Sequence, residues 1–306
     1  MHKQYLLLLP TGGFNDVLNQ LARAWTYAEF HKRTLVVDTR YGHFRDPLSR
    51  YFSTKEKNVV LHPGTALFRH FDSLSTWPPD VRGRPLEALK IQSDAQKNVY
   101  SSTMDIFRPY QEDLLVHRSR GGGSMGHAAL RKLRLVPEVA QEIAGALAAL
   151  GEDYDAVHIR NTDVRTDYLS AFREMFPQVQ GRKLLVCSDD LLCREEAKQF
   201  FVESEVVSIT NIPDTGGKAL HAYVGQDAFT KNLAMLTDLF ALSRARQLFI
   251  TQFAHHPNPR VTAGISGFSQ LAVALRNHLE IVDSLFTALP PGVPFAKSSV
   301  PSPDSV

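Results

Sequence analysis

The stretch LLLLPTGGFNDVLNQLARAWTYAEFHKRTLVVD, residues 6–38, decides the fold of this chain. Its apolar opening predicts a buried strand, which breaks at the adjacent glycines Gly12 and Gly13. Apolar residues then recur at helical spacing, and the β-branched run at residues 34–37 predicts a second strand. Strand, helix and strand in this order predict a βαβ unit.

Length and composition describe an ordinary globular protein of two domains. The chain has 306 residues, 43% of them hydrophobic and 22% charged. Domains usually contain roughly 100–200 residues, so we expect two. The formal net charge of +2 argues against a dedicated nucleic-acid-binding protein, which needs a large basic excess to neutralise phosphates. Any anion site must therefore be local, and we expect no nucleic-acid partner.

The cysteines and the first residues indicate a cytoplasmic protein. Cys187 and Cys193 are the two cysteines of the sequence, too few for a disulfide framework or a four-cysteine zinc site. The apolar run that begins at Leu6 is too short to span a membrane and lacks a signal-peptide cleavage pattern. We therefore expect no transmembrane segment and a reducing compartment.

The second half of the chain alternates strands with helices. Strands are predicted for DAVHI (155–159), KLLVC (183–187), VVSI (206–209) and QLFIT (247–251), and helices for LLCREEAKQFF (191–201) and FTKNLAMLTDLFALSRA (229–245). This alternation predicts a doubly wound parallel sheet. We place an N-terminal Rossmann-like domain at 1–150, a C-terminal one at 151–288 and a disordered proline- and serine-rich tail at 289–306.

Two loop regions are harder to interpret. Residues 40–115 contain scattered prolines and aromatic residues without a motif. Residues 117–135, HRSRGGGSMGHAALRKLRL, combine glycines with basic side chains. A mobile loop before a helix is the favoured interpretation of this segment, with a phosphate or nucleic-acid role as the alternative.

The turn after the first strand has two interpretations, a ligand-binding site and a tight connection. Gly12 and Gly13 would let a ligand approach the backbone, with the amide groups of the next helix aimed at it. The segment contains neither the G-x-G-x-x-G fingerprint nor a P-loop, and a strand-Gly-Gly-helix turn is more often a tight connection.

The turn AVHIRNTDVRTDY at residues 156–168 is a stronger signal. Polar side chains enter it at the end of a predicted strand, and ligands bind at the carboxyl ends of strands in such sheets. A buried arginine at Arg160 needs an anion, because an unpaired buried charge is costly. That anion is either Asp163, in a structural ion pair, or a diphosphate.

Five ordered segments resemble the α1,6-fucosyltransferase and protein O-fucosyltransferase superfamily. Residues 12–52 are similar to the amino-terminal part of rhizobial Nod-factor α1,6-fucosyltransferases. VHIRNTDVRTD resembles HVRRTDKVGTE of the eukaryotic enzymes that core-fucosylate N-glycans. LLVCSDDLLCREEAKQFF, ALHAYVGQDAFTKNLAMLTDLFALSRARQLFIT and SGFSQLA follow in the family's order. The resemblance covers roughly residues 12–52 and 155–275.

The resemblance implies a GT-B fold, with two Rossmann-like domains facing a central cleft. It further implies inverting, metal-independent transfer of fucose from GDP-fucose to a saccharide acceptor, without a cofactor. His158 and Asp238 match guanine-recognition positions, and Arg160 matches the arginine on the β-phosphate. The substrate-binding candidates are Gly12, Gly13, Phe14, Asn15, His158, Asp189, Asp190, His221, Asp238, Ser266, Ser269 and Gln270.

Several of these residues also have structural alternatives. Asp189 and Asp190 either hold the ribose or order the loop, and after Ser188 they also suit a helix cap. Ser266 and Ser269 precede a helix, so they bind the diphosphate or simply cap it. His158 could equally be a core histidine, and Asp238 a solvated helix acid.

The catalytic candidates are Arg160, Asp163 and Asp167, and the match to the family is imperfect around them. With a one-residue gap, Asp167 aligns with the family's glutamate base, although aspartate has a shorter reach. Asn161 stands in place of the family's second arginine. We expect no metal site, because the adjacent residues His255 and His256 point to different sides of their loop. The alternatives are a non-catalytic GDP-sugar or glycan-binding module, or a GT-B transferase that uses another nucleotide sugar.

Overall fold

A computed structural model of the chain describes residues 3–81, 104–118, 121–255 and 264–287. The chain divides into two compact units, Met1–Val136 and Pro137–Val306. The division lies 14 residues before the boundary expected at residue 150, and the difference is one helix, which packs in the second unit. The tail expected to be disordered, residues 289–306, falls outside the described residues.

The first unit is an α/β structure. Its elements are β1 Tyr5–Leu8, α1 Phe14–Phe30, β2 Thr34–Val37, β3 Phe52–Ser53, β4 Val59–Val60, α2 Thr65–Phe71, β5 Thr76–Trp77, β6 Leu114–His117, α3 Gly126–Leu130 and β7 Arg134–Leu135.

The main sheet of the first unit is parallel, with strand order β4-β2-β1-β6-β5. Leu6 of β1 lies opposite Leu35 of β2 and Leu115 of β6, and all three side chains are fully buried. Because helices and loops cover both faces, the central strands are apolar throughout rather than alternating. The predicted βαβ unit of residues 6–38 is therefore present.

The second unit repeats this kind of architecture. Its elements are α4 Pro137–Leu150, β8 Asp155–Ile159, β9 Arg165–Thr166, α5 Tyr168–Val179, β10 Lys183–Ser188, α6 Leu191–Phe200, β11 Glu205–Val207, α7 Ala228–Arg244, β12 Gln247–Ile250, β13 Phe253–His255, α8 Gly267–Arg276 and α9 Leu279–Leu285.

The sheet of the second unit is also parallel and has strand order β11-β10-β8-β12. His158 of β8 lies opposite Cys187 of β10 and Ile250 of β12, so β8 runs through the middle of the sheet. β9 and β13 form a separate antiparallel pair after the carboxyl ends of β8 and β12. All four strands of the main sheet lie within one or two residues of their predicted positions.

The prediction of an α/β fold with parallel sheets is thus confirmed in both units. The facing of two domains across a central cleft stays a prediction.

Candidate functional site

The carboxyl end of β8 carries a buried histidine that is connected to the start of α8. His158 Nδ1 lies 2.7 Å from Ser269 Oγ, which in turn lies 2.9 Å from Ser266 Oγ. Ser266 caps α8 by accepting a hydrogen bond from the Ser269 amide. Burial, with Arg160 beside it, lowers the pKa of His158 to about 3, so the imidazole is neutral at physiological pH.

Arg160 follows β8 directly and is flanked by two carboxylates. Its Nη2 lies 2.5 Å from Asp163 Oδ1, and its Nη1 lies 3.7 Å from Asp189 Oδ2. The arginine side chain is 21% exposed. The predicted alternative of an ion pair with Asp163 is therefore present, and the arginine side chain remains partly exposed.

The acidic pair after β10 holds the loop after β8. Asp189 accepts hydrogen bonds from the Asn161 amide at 2.8 Å and from the Thr162 hydroxyl at 2.6 Å. Asp190 accepts one from Asn161 Nδ2 at 3.0 Å and caps α6 through the Leu192 amide. Of the alternatives for this pair, loop ordering and helix capping account for its contacts, and ribose binding stays a prediction.

Asp167 caps helix α5. Its carboxylate accepts a hydrogen bond from the Ser170 amide at 3.1 Å. The Ser170 hydrogen bonds lower the pKa of Asp167, whose side chain is exposed to solvent. A carboxylate with a lowered pKa is a weaker proton acceptor, although solvent exposure leaves it reachable.

Asp238 lies in a buried polar cluster on α7. Both of its carboxylate oxygens lie within 3.0 Å of the Thr210 hydroxyl, and Arg194 Nη2 lies 3.8 Å from one of them. Burial raises the pKa of Asp238 to about 6, against the opposing effects of Arg194 and Thr210. The interpretation of Asp238 as a solvated helix acid is wrong, and guanine recognition by it stays a prediction.

Sequence reasoning missed Arg194 as the organiser of this cluster. Its guanidinium donates to the Thr210 carbonyl at 2.5 Å and to the Ser188 carbonyl at 3.1 Å, which ties the carboxyl ends of β10 and β11 together. The arginine is buried on α6. Nothing in the pattern LLCREEAKQFF distinguishes it from an exposed helix residue.

Two further substrate-binding candidates, Gln270 and His221, and the residue before Asp167, Thr166, also belong to the second unit. Gln270 is exposed and donates to the Ile265 carbonyl at 3.2 Å. His221 lies in a short 3-10 turn, where its carbonyl faces Lys231 Nζ at 3.4 Å. Thr166 is buried, and its hydroxyl has no hydrogen-bond partner within the described part of the chain.

In the first unit, the turn after β1 corresponds to the turn after β8, and its glycines contact the first turn of α1. Gly12 has a φ of +97°, a conformation that L side chains rarely adopt. The Gly13 amide donates to the Asp16 carboxylate at 3.0 Å, so the first turn of α1 is satisfied partly by its own side chain. This geometry matches the tight connection favoured in the sequence analysis.

The neighbouring substrate-binding candidates also make structural contacts. The Phe14 ring is buried and stacks on Phe44 and Phe52, with centroids 5.9 and 6.2 Å away. Asn15 Nδ2 donates to the Gly123 carbonyl at 3.2 Å. These contacts explain both residues without a ligand, and ligand binding by Gly12, Gly13, Phe14 and Asn15 stays a prediction.

The glycine-rich segment is docked on α1 instead of forming a detached loop. Asn19 donates to the Gly123 carbonyl at 3.0 Å and accepts from the Met125 amide at 2.7 Å. A side chain at Gly121 would meet the backbone of Asp16. The favoured interpretation of this segment as a mobile loop missed this packing. In a sequence, glycines that make a loop mobile cannot be distinguished from glycines that allow two backbone segments to pack closely.

The described residues show neither a metal-binding cluster nor a membrane-spanning helix. They contain no group of three or more histidine, cysteine, aspartate or glutamate side chains arranged to hold a metal ion. Within the same ranges, no helix has the length and apolarity needed to cross a membrane.

Comparison with solved structures identifies the fold. No protein-family model matches the chain, and no curated protein sequence matches it. The structure of fucosyltransferase NodZ from Bradyrhizobium is 17% identical with a TM-score of 0.56, over 89% of this chain and 92% of that chain. NodZ α-1,6-fucosyltransferase soaked with GDP-fucose gives 16% and 0.58, over 88% and 91%. POFUT1 in complex with GDP gives 14% and 0.53, over 93% and 97%.

These likenesses extend over most of the chain. The chain therefore has the fold of fucosyltransferase structures, and the resemblance inferred from five short motifs is confirmed at the level of the fold.

Proposed function

We propose that this chain is a glycosyltransferase that transfers fucose from GDP-fucose to a hydroxyl group of a glycan or other saccharide acceptor. The similar structures are those of fucosyltransferases, one soaked with GDP-fucose and another in complex with GDP. The observation that carries the proposal is the arrangement at the carboxyl end of β8. There a neutral His158, the serines at the start of α8 and the accessible Arg160 lie together.

The donor would bind across this arrangement. A helix amino-terminus and a guanidinium both favour a diphosphate, so Ser266, Ser269 and Gln270 at the start of α8 and Arg160 after β8 are its proposed partners. The buried imidazole of His158 offers a neutral hydrogen-bonding edge of the kind that a purine base requires. Asp189, Asp190, His221 and Asp238 complete the proposed donor site.

The proposed reaction is an inverting displacement at the anomeric carbon. The acceptor oxygen forms a bond to that carbon while the bond to the β-phosphate oxygen breaks, and GDP leaves with the bonding electron pair. Arg160 stabilises the charge that develops on the leaving phosphate, a contribution typically worth about 10²- to 10³-fold in rate. Asp167 is the proposed base that takes the proton of the acceptor hydroxyl. Metal independence and a cytoplasmic location are further parts of the proposal.

A second candidate is a GDP-sugar-binding module without turnover. Asp167 supports it, because its capping hydrogen bond and lowered pKa account for the residue without catalysis. A transferase for another nucleotide sugar is the third candidate. It is supported by Asn161, which stands at the position of the family's second arginine. Asn161 hydrogen-bonds to Asp189 and Asp190 and adds no positive charge to the site.

The test is a thermal-shift titration with GDP, GDP-fucose, UDP and ADP. A ligand that binds only the folded state raises its stability by about 2.7 kcal/mol at a hundred times the dissociation constant. We expect stabilisation by the guanine nucleotides alone and its loss in Arg160→Ala. Arg173→Ala is the matched control, because Arg173 is an exposed arginine on α5 of the same unit.

Transfer is then measured with GDP-fucose and a panel of saccharide acceptors. Guanine-specific binding with fucose transfer supports the proposal. Guanine-specific binding with no transfer to any acceptor favours the binding module, and an equal shift with UDP favours the third candidate. No shift with GDP contradicts the proposed function.

A further inference from the structure

The two carboxylates beside Arg160 differ in what else they hold. Asp189 is 10% exposed and accepts two other hydrogen bonds, from the Asn161 amide and the Thr162 hydroxyl. Asp163 is 42% exposed, and apart from Arg160 its one hydrogen-bonding contact among the described residues is with the Thr162 hydroxyl, at a long distance of 3.5 Å. Asp189 is therefore fixed by the loop it supports, whereas Asp163 is anchored mainly by Arg160.

The support given by Asp189 extends across two strands. Ile159 of β8 and Ser188 of β10 are register partners, so the segments that follow them leave the sheet side by side. Asn161 and Thr162 make three hydrogen bonds with Asp189 and Asp190 across this gap. Asn161 Oδ1 also accepts from the Thr166 amide at 3.3 Å, which closes the loop on itself.

The carboxylates of Asp163 and Asp189 therefore have opposite effects on the binding of a phosphate by Arg160. A phosphate oxygen on this guanidinium competes with Asp163 for its donors and its charge, because Asp163 already takes one of the two N–H groups of Nη2, at 2.5 Å. It need not displace Asp189, which lies 3.7 Å from Nη1, beyond direct hydrogen bonding. Asp189 can hold the backbone next to Arg160 while the diphosphate is bound.

We propose that Asp189 is a positioning residue that fixes Arg160 for a diphosphate ligand, and that Asp163 competes with that ligand for the same guanidinium. The inference rests on the proposed function for the identity of the diphosphate. It gives the two acids opposite roles, although both aspartates lie beside one arginine and both carry the same charge.

The test compares Asp163→Asn with Asp189→Asn by calorimetric titration of GDP and of inorganic pyrophosphate. If charge were the only effect, both substitutions would tighten binding of the ligand, because each removes a negative charge near it. We expect Asp163→Asn to lower the dissociation constant about two- to fivefold, in the range of an exposed ion pair. We expect Asp189→Asn to raise it about tenfold, because the loop loses a charged hydrogen-bond acceptor.

Hydrogen exchange of the loop provides a second measurement that needs no ligand. We expect faster exchange of the Asn161 amide in Asp189→Asn and unchanged exchange in Asp163→Asn. Thr162→Val is the milder variant in case Asp189→Asn does not fold, since it removes one hydrogen bond to Asp189 and no charge; we expect about threefold weaker binding. Glu174→Gln, on the exposed face of α5, controls for the loss of one carboxylate.

The outcomes separate this inference from the proposed function. If the wild type binds GDP and both aspartate variants tighten binding or leave it unchanged, the inference is overturned and the proposed function stands. If the wild type binds pyrophosphate but not GDP, the proposed function fails. The inference is then supported if Asp163→Asn tightens and Asp189→Asn weakens pyrophosphate binding, and it is overturned if both variants change the affinity in the same direction. If it binds neither, both are overturned.

Discussion

The turns after β1 and β8 stand at equivalent places in two parallel sheets, yet their contacts are of different kinds. After β1, Gly12 and Gly13 lead into α1, and the glycine-rich segment around Gly121 lies directly on the first turn of that helix. After β8, Arg160 and the residues that follow it are held by charged side chains. The comparison shows that the glycine-rich strand end is satisfied by close packing, whereas the strand end of β8 keeps a partly exposed charge.

The largest effect is expected where the first turn is packed. A Cβ at Gly121 would lie 2.5 Å from the Asp16 Cα and closer still to its Cβ. We expect Gly121→Ala to lower the free energy of unfolding by about 3 kcal/mol, because backbone cannot move aside as a flexible side chain can. Chemical denaturation measures this change.

Gly145→Ala is the control for that substitution. Gly145 is an exposed residue inside α4, and a Cβ there meets nothing within 4 Å. We expect this variant to gain about 1 kcal/mol, since alanine is the better helix former. Equal stability of the two variants would show that the glycine segment does not pack on α1.

The next largest effect is expected at Asp167, the proposed base, which follows β9 and caps α5. Asp167→Asn keeps a side-chain oxygen for the Ser170 amide, and asparagine is a good helix cap. We therefore expect an unchanged melting temperature and unchanged GDP affinity, with kcat lowered about 10²-fold, the lower end for a general base. A variant with wild-type kcat would remove Asp167 from the reaction and leave it the role of a cap.

The smallest effect is a dependence of stability on pH in which two buried groups oppose each other. The pKa of His158 falls from 6.5 to about 3 on folding, so the unfolded chain gains a proton first and stability declines as pH decreases below 6.5. The pKa of Asp238 rises from 3.8 to about 6, so the folded chain gains a proton first and stability increases over part of the same range.

Substitution of either group removes one side of this balance. Between pH 6 and pH 5 we expect His158→Gln to lose about 1 kcal/mol less stability than the wild type, and Asp238→Asn to lose about 1 kcal/mol more. Denaturant titrations at the two pH values measure the difference. Parallel pH profiles for all three proteins would contradict the burial of both groups.

Much of the fold could be predicted because it depends on local patterns. Continuous apolar runs mark parallel strands that are buried on both faces, and DAVHI coincides with β8 residue for residue. No strand could be assigned within residues 40–115, because in the described part of that range β3, β4 and β5 are each two residues long. A pair of residues is too short to show a period, and only pairing with neighbours defines it as a strand.

The sequence by itself determined the two parallel sheets and the placement of Arg160 and Asp163 in the turn after β8. Only the tertiary structure decided what those side chains contact. Asp163, Asp189 and Asp238 have the same side chain in the sequence, but one is exposed on Arg160, one supports a loop and one is buried beside Arg194. The physical reason is that strand and helix patterns reflect local spacing and burial, whereas hydrogen-bond partners and pKa values depend on neighbours that are distant in the sequence.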